Sequence, residues 1–148
     1  MIDIIYTMAL EMVNNSKLYK NYKLVKLKDA YQLRYNNDVI SNVGFFTYPE
    51  IDNFDWINIA NVETRPKYRN QGLASYLLKQ LLTDLDKKYP KMGCYLFVLS
   101  TNTAAIDLYK KHDFKVLKNY VLKDKDHFLM YRGNADIKQL QRMDYNLD

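Results

Sequence analysis

The stretch WINIANVETRPKYRNQGLASYLLKQLLTDLDKK, residues 56–88, decides the fold. Its first nine residues, Trp56 to Thr64, read as a strand. Pro66 ends that strand, because proline has no amide to give to a ladder. A loop carrying Arg65, Lys67 and Arg69 comes next, and Gly72 and Ala74 stand where the following element begins. From Leu73 onward, Leu77, Leu78, Leu81, Leu82 and Leu85 recur at helical period, an apolar stripe that must be covered. Lys87 and Lys88 suit the negative end of a helix, and Pro90 forbids its continuation. The order is therefore strand, basic bend, helix. The first amides of a helix lack internal partners and carry the positive end of its dipole. Small residues there let a ligand come close to the backbone. A diphosphate fits such a place.

Elements of both kinds lie on either side. Downstream, residues 94–99 (CYLFVL) form a short apolar run, as expected of a strand covered on both faces. Residues 102–112 predict a second helix with Ala105, Leu108 and Tyr109 on one side. The segments 114–122 and 127–132 predict a hairpin across Lys123–Asp126. Upstream, residues 22–28 alternate as a strand does. Residues 31–48 hold two strand-like stretches around Asn36-Asn37-Asp38, residues that tolerate left-handed backbone. Pro49 to Asp55 is a polar, acidic connection, and residues 3–20 carry helical spacing at Ile5, Met8 and Met12. The expectation is one mixed α/β (α+β) domain over residues 1–148, with a central sheet flanked by helices. Residues 134–148 are expected as a loosely packed tail.

Composition narrows the function. A chain of 148 residues, 48% hydrophobic and 26% charged, suits one globular domain and argues against disorder. No apolar run approaches the roughly 18 residues of a membrane-spanning helix. The start, MIDIIYTMALEMVNN, carries Asp3 and Glu11 and lacks a basic leader, which argues against a secretory signal. A lone cysteine, Cys94, and two histidines leave little for a disulfide or a metal cage, so a cytoplasmic, metal-free protein is expected. The formal charge of +5 comes from lysines scattered among acids rather than from a stripe, which speaks against nucleic acid. It suits solubility, or a multiply phosphorylated small ligand.

The pattern Arg69-x-x-Gly72-x-Ala74, following Val62 and Thr64, resembles the acetyl-CoA signature of the GNAT superfamily of N-acyltransferases. A second stretch, Asn102-x-x-Ala105-x-x-Leu108-Tyr109-Lys110-Lys111-His112-Asp113-Phe114, resembles that family's later element. The resemblance implies an acyl-CoA-dependent N-acetyltransferase with acetyl-CoA as co-substrate. It implies that amides around Asn70, Gln71, Gly72, Leu73, Ala74 and Ser75, with Arg69 nearby, hold the cofactor's diphosphate. The main chain of Val62 and Thr64 would pair with the pantetheine arm as an added strand does. Asn102 would bind the pantetheine or phosphate part, and Tyr109 would sit by the thioester sulfur. Seven residues separate the two, about two helical turns, so both can face one cleft. A phenol with pKa near ~10 stays protonated at neutral pH and can assist a departing thiolate. The family's usual glycine before the final Phe is Asp113 here, a residue that tolerates the left-handed conformation needed to close the helix.

The acceptor side is less legible. Glu63, on the strand just before the loop, is the candidate base, directly or through a water. Alternation puts it on the face opposite Val62 and Thr64. Glu50, Asp52 and Asp55 could attract a cationic acceptor. A small-molecule amine and a peptide or protein amine both remain open, as does the oligomeric state. The competing expectation is a non-catalytic acyl-CoA-binding or protein-interaction module on the same fold.

Overall fold

A computed structural model describes residues 18–143. The helix expected at 3–20 lies outside them up to residue 17. Its last residues are no helix: Leu18–Tyr19 form strand β1, and Lys20-Asn21 form a turn into β2, Tyr22–Lys26. The strands β3 (Ala30–Tyr35), β4 (Asp38–Phe46), β5 (Trp56–Thr64), β6 (Gly93–Leu99), β7 (Lys115–Leu122) and β8 (Lys125–Arg132) complete one mixed sheet. Its strand order is β1-β2-β3-β4-β5-β6-β8-β7. The helices are α1 (Leu73–Lys88), α2 (Thr103–Lys111) and α3 (Ile137–Gln141), with a 3-10 turn at Pro66–Tyr68. Among the described residues no helix is long and apolar enough to cross a membrane. The chain divides into two compact units, residues 1–44 with 61–81, and residues 45–60 with 82–148.

The first unit is built from antiparallel hairpins. β1 pairs with β2 and β2 with β3, and β3 pairs with β4 from Ala30↔Gly44 to Tyr35↔Asp38. Two of the turns are two-residue, doubly left-handed ones: Lys20-Asn21 at φ 53 and 68, and Asn36-Asn37 at φ 49 and 69. Such turns match the twist of the strands they join. Leu24, Val25, Leu33, Ile40 and Val43 are buried, as are Leu73, Leu77, Leu78 and Leu81 of α1. The leucine stripe read from the sequence is thus a core face, each side chain contributing roughly 1.5–3 kcal/mol on burial.

In the second unit, β6 lies between a parallel and an antiparallel neighbour. Its parallel ladder with β5 has three pairs, from Trp56↔Gly93 to Asn58↔Tyr95, while six pairs join it to β8. β7 and β8 form the expected hairpin, turning at Lys123-Asp124 (φ 51 and 63). Trp56 covers Gly93 so closely that a Cβ there would stand 2.3 Å from the indole, so glycine is required. The segment after Gly133, expected as a loose tail, is anchored as far as residue 143. Leu140 is 0% exposed and clusters with Trp56, Tyr95 and Leu129. The Trp56 indole donates to the Asp136 carbonyl at 2.9 Å. Gln139 Nε2 donates to the Asn53 carbonyl and to Asp55 Oδ2. An apolar side chain with that much to cover made the attachment worthwhile; the surrounding polar sequence concealed it.

Candidate active site

The signature loop occupies the first unit, where β5 gives way to α1. Hydrogen bonds along β5 reveal which way its main chain faces. The Asn61 carbonyl accepts from Asn42 Nδ2 at 2.9 Å, the Glu63 carbonyl from Ser41 Oγ at 3.3 Å, and the Arg65 amide donates to the Ile40 carbonyl at 2.9 Å. Residues 61, 63 and 65 therefore turn their backbone groups toward β4. Successive residues of a strand alternate, so Val62 and Thr64 direct theirs to the opposite edge. Asn61 itself is left-handed at φ 55, which breaks the regular pleat within β5. The side chains alternate too: Asn61 and Glu63 are exposed, Val62 and Thr64 half-buried.

The bend is shaped by its own side chains. Arg69 Nε donates back to the Thr64 carbonyl at 3.0 Å, so this arginine ties the loop to the end of the strand. The Thr64 hydroxyl lies 2.8 Å from Ser41 Oγ, a buried side chain. Asn70 and Gly72 are both left-handed, at φ 65 and 75, on either side of Gln71. Gly72 is exposed, and its carbonyl accepts the first bond of α1, from the Tyr76 amide at 3.0 Å. The Leu73 side chain is buried, and Ala74 and Ser75 are half-buried. Two left-handed residues lead into a helix of 16 residues, whose first amides have no partner within the helix itself. An anion with several oxygens fits there.

Contacts far apart in sequence complete this loop, and nothing in its own residues announced them. Lys20 Nζ donates to the Gln71 carbonyl at 2.7 Å, and the Tyr22 hydroxyl donates to Gln71 Oε1 at 3.2 Å. Gln71 Nε2 in turn donates to the Tyr68 carbonyl at 3.3 Å. Tyr22 meets Tyr68 edge-on, with centroids 5.9 Å apart, and Tyr19 stacks on Tyr76 at 4.0 Å. Lys20-Asn21 is a hairpin turn, and the helical spacing of Ile5, Met8 and Met12 upstream masks its first strand in the sequence.

The second motif lies in the other unit, on α2. Asn102 is exposed and is the N-cap of the helix, its Oδ1 accepting from the Ala105 amide at 3.2 Å. Tyr109, two turns on, is buried. The helix closes on Asp113, left-handed at φ 70, as the substitution for glycine required. The Phe114 amide donates to the Tyr109 carbonyl at 3.1 Å and the Asp113 amide to the Lys110 carbonyl at 3.2 Å, the paired bonds of a Schellman motif. Its apolar contact is Phe114 edge-on to Tyr109, centroids 5.9 Å apart. The same device that ends the helix orients the tyrosine ring. Burial pushes the Tyr109 phenol up to about 12. Cys94 is buried as well, and its thiol is pushed up to about 12 by desolvation, with Arg132 opposing. It stays protonated and poorly nucleophilic.

Of the acidic residues before β5, Asp55 is engaged by Gln139. Asp52 lines a cavity of about 520 Å³ with Tyr48, Phe54 and Tyr95.

The sequence model of the Acetyltransferase (GNAT) family matches residues 8–114, a span that includes both motifs. Over 136 residues the chain is 30% identical to an N-alpha-acetyltransferase of Sulfolobus acidocaldarius, covering 80% of this chain and 81% of that one. It is also 33% identical over 78 residues to an N-alpha-acetyltransferase of Saccharolobus solfataricus, covering 51% and 47%. In fold it is similar to Arabidopsis thaliana Naa50 in complex with the bisubstrate analogue CoA-Ac-MVNAL. The TM-score is 0.62 at 20% identity, over 86% of this chain and 92% of that one. The chain belongs to the GNAT family of acetyltransferases, and as an N-acetyltransferase it moves an acetyl group from acetyl-CoA to an amine.

Proposed function

We propose that this acetyltransferase modifies the α-amine of a peptide or protein N-terminus and holds the cofactor diphosphate on the amides of Asn70 to Ser75. The observation that carries the acceptor is the 30% identity over 136 residues with an N-alpha-acetyltransferase. The diphosphate position is supported by left-handed Asn70 and Gly72 at the start of α1. Val62 and Thr64, whose main chain faces away from β4, would receive the pantetheine arm, Thr64 with its carbonyl already held by Arg69. Asn102 accepts from the Ala105 amide through its Oδ1, and its side-chain Nδ2 would donate to the cofactor.

Acetyl-CoA supplies an acyl group activated as a thioester. Transfer forms a carbon–nitrogen bond and breaks the carbon–sulfur bond. The proton that leaves the amine goes to Glu63, directly or through a water. The departing sulfur meets the Tyr109 hydroxyl. A phenol pushed up to about 12 is a weaker acid than an ordinary thiol, so complete proton transfer to the thiolate runs uphill. Tyr109 then acts by donating a hydrogen bond to the charge that develops on sulfur. A cytoplasmic setting belongs to the same reading, supported by a single buried thiol with no second cysteine to pair with.

A thiol-release assay tests the acceptor. It compares a peptide with a free N-terminus, the same peptide N-terminally blocked with an internal lysine, a polyamine and an aminoglycoside. The free N-terminus is expected to lead by at least about tenfold in kcat/KM. Faster turnover of lysine or polyamine overturns the assignment.

A further inference from the structure

We infer that Lys20 is a positioning residue for the cofactor site: by taking the Gln71 carbonyl it turns the Gly72 amide outward to the diphosphate. The inference rests on the diphosphate position proposed above. The peptide between Gln71 and Gly72 is trans, as are all the described ones, so its carbonyl and its N–H point in opposite directions. Lys20 Nζ holds that carbonyl at 2.7 Å, on the side of the β1–β2 hairpin. The Gly72 amide must therefore face away from the hairpin. With Asn70 and Gly72 both left-handed, the peptide between them would otherwise have freedom to rotate, glycine least hindered of all. A charged donor on the carbonyl also polarises the peptide and makes its N–H a better donor.

The hairpin is built to deliver this contact. Tyr22 takes the Gln71 side chain, whose amide end reaches Tyr68, so Gln71 is gripped at both its carbonyl and its side chain. Tyr19 stacks against Tyr76, one turn into α1, and its hydroxyl lies 3.7 Å from where a Cβ on Gly72 would stand. Lys20 itself sits at a left-handed turn position, φ 53. Lys123 does the same in the β7–β8 turn, so lysine is admissible there but not required. Asparagine suits such a turn at least as well and is too short to reach Gln71. Lys20→Asn therefore separates the contact from the fold.

The experiment measures acetyl-CoA affinity by calorimetry for the wild type, Lys20→Asn, Lys20→Arg and Gly72→Glu, at about 50 and about 500 mM KCl. Lys20→Asn is expected to keep or raise the melting temperature while weakening affinity about tenfold at both salt concentrations. Its kcat at saturating acetyl-CoA stays at the wild-type value, and Lys20→Arg restores affinity. Gly72→Glu binds no cofactor, since a bulky anion fills the diphosphate position. If Gly72→Glu fails to bind but Lys20→Asn binds as the wild type does, the positioning role is wrong while the site stands. A Lys20→Asn defect that vanishes at high salt also overturns it, because the ammonium is then acting as a direct charge on phosphate. Wild-type affinity in Gly72→Glu removes the diphosphate site itself.

Discussion

At the scale of single residues, Tyr109 carries the clearest chemical expectation. Its ring is fixed against Phe114, and burial keeps its phenol protonated far above neutral pH. Replacing it with phenylalanine keeps that ring contact and removes only the hydroxyl. Tyr109→Phe is expected to lower kcat by about 10²–10⁴-fold, with the KM for acetyl-CoA within a few-fold of wild type. Steady-state kinetics check this, and an unchanged kcat ends the assignment. Arg69, expected beside the phosphate, donates its Nε to the Thr64 carbonyl and so also shapes the bend. A cation in a motif can serve a ligand by serving the loop.

Helix ends are where elements of this protein do their work. The first turn of α1 faces the proposed diphosphate, and the last turn of α2 holds Tyr109. The Schellman closure of α2 places Asp113 at φ 70, a conformation that costs an L-residue about 1 kcal/mol or more relative to glycine. Asp113→Gly is therefore expected to stabilise the protein by roughly 1 kcal/mol, measured by denaturant unfolding. A loss of stability shows that the aspartate side chain supplies more than its tolerance of the turn. The turns at Asn36-Asn37 and Lys123-Asp124 fall inside the turn regions legible in the sequence, Asn36-Asn37-Asp38 and Lys123–Asp126, each of which is wider than the two residues the chain uses. Lys20-Asn21 follows a strand of only two residues, too short to show alternation, so the hairpin that grips Gln71 has no local signature.

For the whole molecule, pH reports on burial. Cys94 and Tyr109 are neutral when protonated, and the fold raises them from 9.0 and 10.0 to about 12. Between about pH 9 and about pH 12 the unfolded chain has released protons that the folded chain retains, so stability falls as pH rises. Below that window these two groups contribute no slope. The melting temperature is expected to decline from about pH 9 upward, and in Cys94→Ala the onset moves to about pH 10. The same onset in both proteins means that Cys94 does not retain its proton in the fold. Burial of the C-terminal segment through Leu140 belongs to this scale as well: the side chains it covers, Trp56, Tyr95 and Leu129, come from three separate strands.

By itself the sequence determined the order of strands and helices from residue 22 to 132, the leucine face of α1, and the left-handed close at Asp113. These follow from periodicity, turn chemistry and capping, which act over a few neighbouring residues. The family was legible because both of its motifs are contiguous. Tertiary structure alone decided that Lys20 and Tyr22 reach Gln71 across 51 and 49 positions, and that Ser41 meets Thr64. It also decided that Leu140 docks. Such contacts depend on which surfaces the sheet brings together, and no local pattern encodes that.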